Sequence, residues 1–252
     1  MAALVATLPK LPALDQALNT HNFQESRALY NSLKDDDAQP DVADEHIQNL
    51  AALFVRHNAE KVFGVHLIHG HFQIPEGTAM VGTNFQNPEM RWSKTTDSAE
   101  LEGSSIHGHI FVLTDGGFRA YEFQGGPLPD LTNVEQNFLM EFSRYITAKN
   151  LVGLIGLQVL GNGACNNHSM SELILDQGTI MLDTSLVKNC QPTRITGWTF
   201  ELSNGQPRVC QANETHSKMT SGNHKVFNAG KPLPKLENVD DLKAALIEAG
   251  VM

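Results

Sequence analysis

The sequence predicts an α+β fold in which antiparallel β-hairpins form a sheet or partial barrel, with N-terminal helices, one internal helix and a C-terminal helix. Two observations carry this. Apolar residues recur with a period near 3.6 in the first part of the chain and near 2 from Lys61 onward. Turn signals such as Asp115-Gly116-Gly117 and Asn204-Gly205 then punctuate short alternating runs. The order of helices, strands, one helix, strands and a helix lacks the regular strand and helix alternation of a parallel sheet.

Residues 1–60 read as a helical segment packed on a catalytic domain of residues 61–252. Leu14, Leu18, Leu29 and Leu33 predict one or two helices, and Lys34 to Pro40 is a polar, acidic linker. Asp41 can cap a further helix, whose Ile47, Leu50 and Phe54 make one apolar stripe. Val62 to Ile74 then alternates as a strand, Pro75-Glu76-Gly77 turns it, and Ala79 to Gly82 returns as its partner. Ile106 to Leu113 and Phe118 to Phe123 make the clearest hairpin, because Asp-Gly supplies the positive φ a tight turn needs. Two more join Leu173–Leu175 to Thr179–Leu182 and Ile195–Leu202 to Arg208–Gln211. Thr132 and Glu135 form a capping-box pattern for the internal helix, with Val134, Phe138, Phe142 and Tyr145 as its buried stripe. Asn238 caps the last helix, Val239, Leu242 and Leu246 face inward, and Gly250 stops it.

At 252 residues with 41% hydrophobic and 18% charged residues, the chain can bury a sizeable core. The net charge of −10 leaves no basic footprint for phosphate backbones or anionic lipid, so neither nucleic acid nor membrane is an expected partner. No run approaches the roughly 20 apolar residues of a spanning helix. The N-terminus lacks a cationic region, and Pro9 and Pro12 interrupt its apolar stretch. Cys165, Cys190 and Cys210 are odd in number and widely spaced, which suits a reducing, cytoplasmic setting and argues against a cysteine-based zinc site. The Asn213-Glu214-Thr215 sequon then carries no glycan.

Placement makes the eleven histidines informative. Ile68-His69-Gly70-His71 and Ile106-His107-Gly108-His109 are the same tetrapeptide, each inside a predicted strand. Alternation puts His69 and His71 on one face about 7 Å apart, and His107 and His109 likewise, so each pair can chelate a metal ion. The other reading is of half-buried strand histidines bonded to carbonyls or carboxylates. Neutral imidazole suits zinc, iron, copper or nickel, and three nitrogen or oxygen ligands plus water make a catalytic zinc site. Glycine between two ligands clears the opposite face for another backbone or a helix. His66 falls on the other face of its strand. Glu76 can complete the shell, act as general base, or be a solvated turn residue.

Residues 64–82 resemble a first cupin motif with two shortened gaps, and Gly222, His224 and Asn228 match a second only loosely. Glu214 and His216 share a face if extended, so they can supply another ligand or an acid/base pair, but the favoured reading is of surface residues. Cys165 with His168 invites a thiol-nucleophile reading, but a catalytic cysteine needs a low pKa and an oriented base, and a buried or inert cysteine is the favoured reading.

The run His-Leu-Ile-His-Gly-His-Phe-Gln-Ile-Pro-Glu-Gly at 66–77 carries a wider resemblance, together with Ser105 to Phe111, Tyr121-Glu122-Phe123, Gly197 to Phe200, Pro207 to Cys210 and Asn213 to His216. These stretches resemble a group of small fungal proteins that includes zinc-dependent cyclopenases of quinolone alkaloid pathways, some of them called hemocyanin-like. No two histidines sit four apart as a helical copper site would use, so the copper label does not carry over. The resemblance implies zinc and contraction of a cyclopenin-type benzodiazepinedione to a viridicatin-type quinolone, with loss of methyl isocyanate. The expected substrate is thus a small, aromatic, cyclic molecule. His69 and His71 are the first ligand candidates, His107 or His109 joins from a neighbouring strand, and Glu76 and His109 are the acid/base candidates. A cupin-like iron oxygenase and a non-enzymatic small-molecule binding protein are the rival readings.

Overall fold

The computed structural model describes residues 11, 14, 18–161, 168–176, 178–227 and 232–252. Its frame is a barrel of ten strands: β1 (Phe63–Leu67), β2 (Thr78–Gln86), β3 (Glu89–Asp97), β4 (Ile106–Thr114), β5 (Gly117–Gly125), β6 (Ile155–Val159), β7 (Met170–Ile174), β8 (Gly178–Asp183), β9 (Cys190–Ser203) and β10 (Gln206–Met219). They close in the order β1-β6-β4-β5-β2-β3-β8-β7-β10-β9. Neighbours are antiparallel except β2 with β5 and β7 with β10. The expectation of a sheet or partial barrel is therefore corrected to a closed one. The seam is β1 against β9, paired at Val65 with Trp198 and His66 with Gly197, and it leaves no free edge.

The three hairpins read from turn chemistry form as β4/β5, β7/β8 and β9/β10. Asn204 and Gly205 both take positive φ in the last, as a two-residue turn requires. The first predicted hairpin does not form. β1 ends at Leu67, and β2 pairs with β3 and β5 instead of returning along β1.

Among the described residues five α-helices dress the barrel: α1 (Thr20–Ser32), α2 (Asp44–Arg56), α3 (Ser98–Leu101), α4 (Phe138–Ala148) and α5 (Val239–Glu248). The predicted stripe of Ile47, Leu50 and Phe54 is buried, and Phe54 meets Phe138, Phe142 and Phe200 at ring-centroid distances of 4.9, 5.7 and 4.8 Å. Two caps differ from expectation. α2 starts after Ala43, with no side-chain cap from Asp41, and α4 starts after Asn137, downstream of Thr132 and Glu135. Asn238 does cap α5, accepting from the backbone N–H groups of Asp240 and Asp241.

The helices show which way the strands face. Phe63, Val65 and Leu67 pack in the same apolar cluster as α2 and α4, so His66 points into the barrel. Ile180 and Leu182 pack with Leu242 and Leu246 of α5, so Met181 and its register partner Glu172 face inward. The interior is polar: His66, His109, Glu122, Gln124, Gln158 and Glu172 are all buried.

Candidate metal centre in the barrel interior

His69 and His71 lie beyond the end of β1, in a loop, yet their rings meet at 4.8 Å. The loop is held by backbone bonds from Ile68 N–H to the Leu154 carbonyl and from Gly70 N–H to the Lys34 carbonyl. Gly70 is the close-approach residue the spacing implied. A Cβ there would lie 3.2 Å from the Cβ of Leu33 and 3.4 Å from the Tyr30 carbonyl, where α1 ends against the loop. Because the chain leaves the strand, His66 is not turned away from the pair, and its ring stacks on His69 at 5.2 Å.

Around His71 the fold assembles residues from four distant segments. Asp36, in a short 3-10 turn of the supposed linker, His216 of β10 and His224 of the following loop each offer, with His71, one donor atom within 4.8 Å of the others. A second group shares His71 and adds His69 and Glu172. The His71 and His216 rings stack at 5.0 Å, and His224 lies 5.0 Å from His216. Four buried atoms of the first group lack a hydrogen-bond partner: Asp36 Oδ1, His216 Nε2, His71 Nε2, which faces Glu172 at 3.6 Å, and His224 Nε2, which faces Asp35 at 3.9 Å. Unsatisfied buried donors and acceptors are costly, and a cation satisfies all four at once.

The opposite nitrogens of His71 and His216 are anchored. His71 Nδ1 donates to Asp35 Oδ1 at 3.2 Å, while His216 Nδ1 lies 3.0 Å from Asp36 Oδ2 and 3.2 Å from the Thr193 hydroxyl. This is the carboxylate–histidine pattern that orients metal ligands and leaves Nε2 free. Three imidazoles and one carboxylate are a donor set that fits zinc.

Electrostatics tie the cluster together. Burial alone depresses the His71 pKa, but the hydrogen bond to Asp35 and the carboxylate charges of Glu172 and Asp35 overcome it and raise it to about 10. Glu172 is pushed up by burial and pulled further down by His69 and His71, ending well below the usual carboxylate range. Asp35 follows the same pattern: burial raises its pKa and the His71 hydrogen bond lowers it to a net depression. Comparison with family models, curated proteins and solved structures finds no match.

The other sequence candidates lie elsewhere. His107 and His109 are buried on β4 and belong to neither donor group. Burial, then the charge of Arg91, holds His109 well below its ordinary pKa, and burial does the same to His107 to a lesser degree. Glu76 is exposed at its turn and also outside both groups. Glu214 and His216, read as surface residues, are not: His216 has no exposure, and Glu214 lies 3.3 Å from His66 and accepts from Gln158 at 2.9 Å. Cys165 and Asn228 lie outside the described residues. Cys210 is disulfide-bonded and Cys190 is a free thiol, so the reading of three reduced cysteines is not upheld. Among the described residues no helix is long and apolar enough to cross a membrane.

Sequence reasoning missed Asp35, Asp36 and Glu172 entirely. The available signals were the Asp35-Asp36-Asp37 run and, for His216 and His224, the period-2 spacing with Glu214 and the loose Gly222-His224 match.

Proposed function

We propose that the chain is a zinc-dependent lyase or isomerase acting on a small cyclic molecule, with zinc held by Asp36, His71, His216 and His224. The observation that carries the metal assignment is the convergence of four residues that each keep one buried atom without a hydrogen-bond partner. The reaction class comes from the resemblance to cyclopenases, and no oxidant is consumed in it. Zinc, when bound, supplies Lewis-acid polarisation of a carbonyl or oxyanion. Asp35 orients His71, while Asp36 Oδ2 and Thr193 orient His216. Met170 lines the interior cavity, and Glu172, two residues along β7 on the same face, contacts His69 and His71 about 7 Å further in. In this reading His109 and Glu214, both on the cavity wall, move the protons; Glu76 lines neither cavity.

A second reading has one specific observation in its favour. All four donors come from the chain, and Asp36 and His216 are buried, a closed arrangement typical of structural zinc in a small-molecule binding protein. Elemental analysis after dialysis without chelator tests the metal: about one zinc per chain is expected, lost in His71→Ala and His216→Ala and retained in His107→Ala and Glu76→Gln. Zinc retained at full content by the first two variants would remove the assignment. Conversion of a cyclopenin-type substrate that ceases on zinc removal, with the fold intact by circular dichroism, would favour the enzyme over the binding protein. Iron in place of zinc would redirect the assay to oxygen consumption.

A further inference from the structure

The barrel interior opens into two cavities of about 460 and 890 Å³, the size range of small-molecule sites. The larger lies at the end away from the metal group. Lys61 and Val62, just ahead of β1, line it, while His69 and His71 follow the other end of that strand, about 16 Å further on. Glu60 is on the same wall and is only 8% exposed. Among the described residues no hydrogen bond or ion pair reaches it, and its Oε2 is buried without a partner. Its turn is pinned by bonds from Ala59 N–H to the Phe54 carbonyl and from Phe63 N–H to the Ala59 carbonyl. A carboxylate held out of water with neither donor nor counter-charge is costly. Lys61 is exposed and leaves Oε2 unmet. His107, also on the wall, adds a second acceptor. Its Nδ1 donates to the Gly108 carbonyl at 2.9 Å and burial lowers its pKa, so the neutral ring keeps a lone pair on Nε2. Gln124 gives them nothing, since it accepts from Arg91 at 2.7 Å and donates to the Gly125 carbonyl at 3.1 Å. Glu60 and His107 belong to no group of three donor atoms close enough to hold a metal ion.

We propose that the larger cavity binds an organic cation of the guanidinium or amidinium class, with Glu60 as its counter-charge and His107 Nε2 as a second acceptor. A planar fork of N–H donors pairs with a carboxylate through two parallel bonds and keeps hydrogens for a further acceptor. Glu60 and Asp130 outnumber Lys61 on the wall, and the net charge of −10 favours the arrival of a cation. Pro127, Leu160 and Leu128, the last left 59% exposed at the rim, supply apolar surface for the carbon chain. The inference does not rest on the zinc reading.

Four aliphatic probes titrated calorimetrically into the full chain separate charge from donors. Butylguanidinium carries both, butylurea has the donors without the charge, butyltrimethylammonium has the charge without the donors, and pentanoate has the opposite charge. Butylguanidinium should bind saturably, with the other three at least about tenfold weaker. Glu60→Gln keeps the shape and removes the charge, so it should weaken butylguanidinium by about tenfold or more. With no ligand present, the same variant should raise the urea midpoint, because an unpaired buried charge is gone. Isotope-labelled histidine rings locate the binding by NMR: the His107 signal should move, whereas a cation at Glu214 in the smaller cavity would move His66, which lies 3.3 Å from it. If Glu60→Gln fails to fold, this ring map of the unaltered chain decides. The proposal is overturned by absence of saturable butylguanidinium binding, by any of the other probes binding as tightly, by undiminished binding in Glu60→Gln, or by a shift at His66 in place of His107.

Discussion

His71 sits between two carboxylates, Asp35 and Glu172, which in the zinc-free chain keep its ring protonated up to about pH 10. A histidine whose folded pKa is raised contributes stability that is full below its unfolded value near 6.5 and is lost as pH rises through the folded value. The zinc-free protein should therefore lose thermal stability between about pH 7 and 10, and His71→Gln should flatten that slope in a melting series. The same proton competes with the metal, so zinc affinity measured against a chelator should climb about tenfold per pH unit over the window in which His71 must deprotonate. Some of this site was legible in the sequence. His69 and His71 announce themselves by spacing, although their convergence comes from the loop after β1 and not from strand alternation. Asp36, Glu172, His216 and His224 stand alone in unrelated stretches, and only closure of the barrel makes them neighbours. His107 and His109 show the opposite failure: identical local sequence, but a strand whose neighbours bring Arg91 and no carboxylate into a metal group.

Elements with a local signature were legible, and those defined by distant partners were not. Asn238 is a true cap, so Asn238→Ala should cost about 1 kcal/mol in urea unfolding, whereas Asp41→Ala should cost close to nothing because Asp41 is fully exposed and caps no helix. The hairpins β4/β5 and β9/β10 carry Asp-Gly and Asn-Gly turns, and their chemistry is written within a few residues. β6 has none of this. Its five residues are buried on both faces, so no alternation marks it as a strand. The mistaken pairing of β1 with β2 has a similar cause: adjacency in sequence favoured a hairpin, while the actual partner of β1 on one side is β6, some ninety positions on.

At the scale of the whole molecule, the seam between β1 and β9 decides whether the interior stays closed. Gly64 lies on it, and a Cβ there would come within 2.8 Å of the Trp198 carbonyl, a backbone atom with little room to yield. Gly64→Ala should destabilise the barrel by about 1–3 kcal/mol in urea unfolding and lower zinc retention with it. A midpoint equal to that of the unaltered chain would show that the seam has slack.

The metal group also has a temporal meaning. Asp36 precedes every strand of the barrel, and His224 follows the last one. A chain emerging from the ribosome therefore carries Asp36 and His71 before most of the barrel exists and gains a complete set only after β10 has been made. Ion capture then works as a clasp across the barrel, joining the segment ahead of β1 to the one after β10 over a very long loop. A version stopped after Met219 would keep all ten strands but lack His224, and it should hold zinc more weakly than the full chain in the same chelator competition.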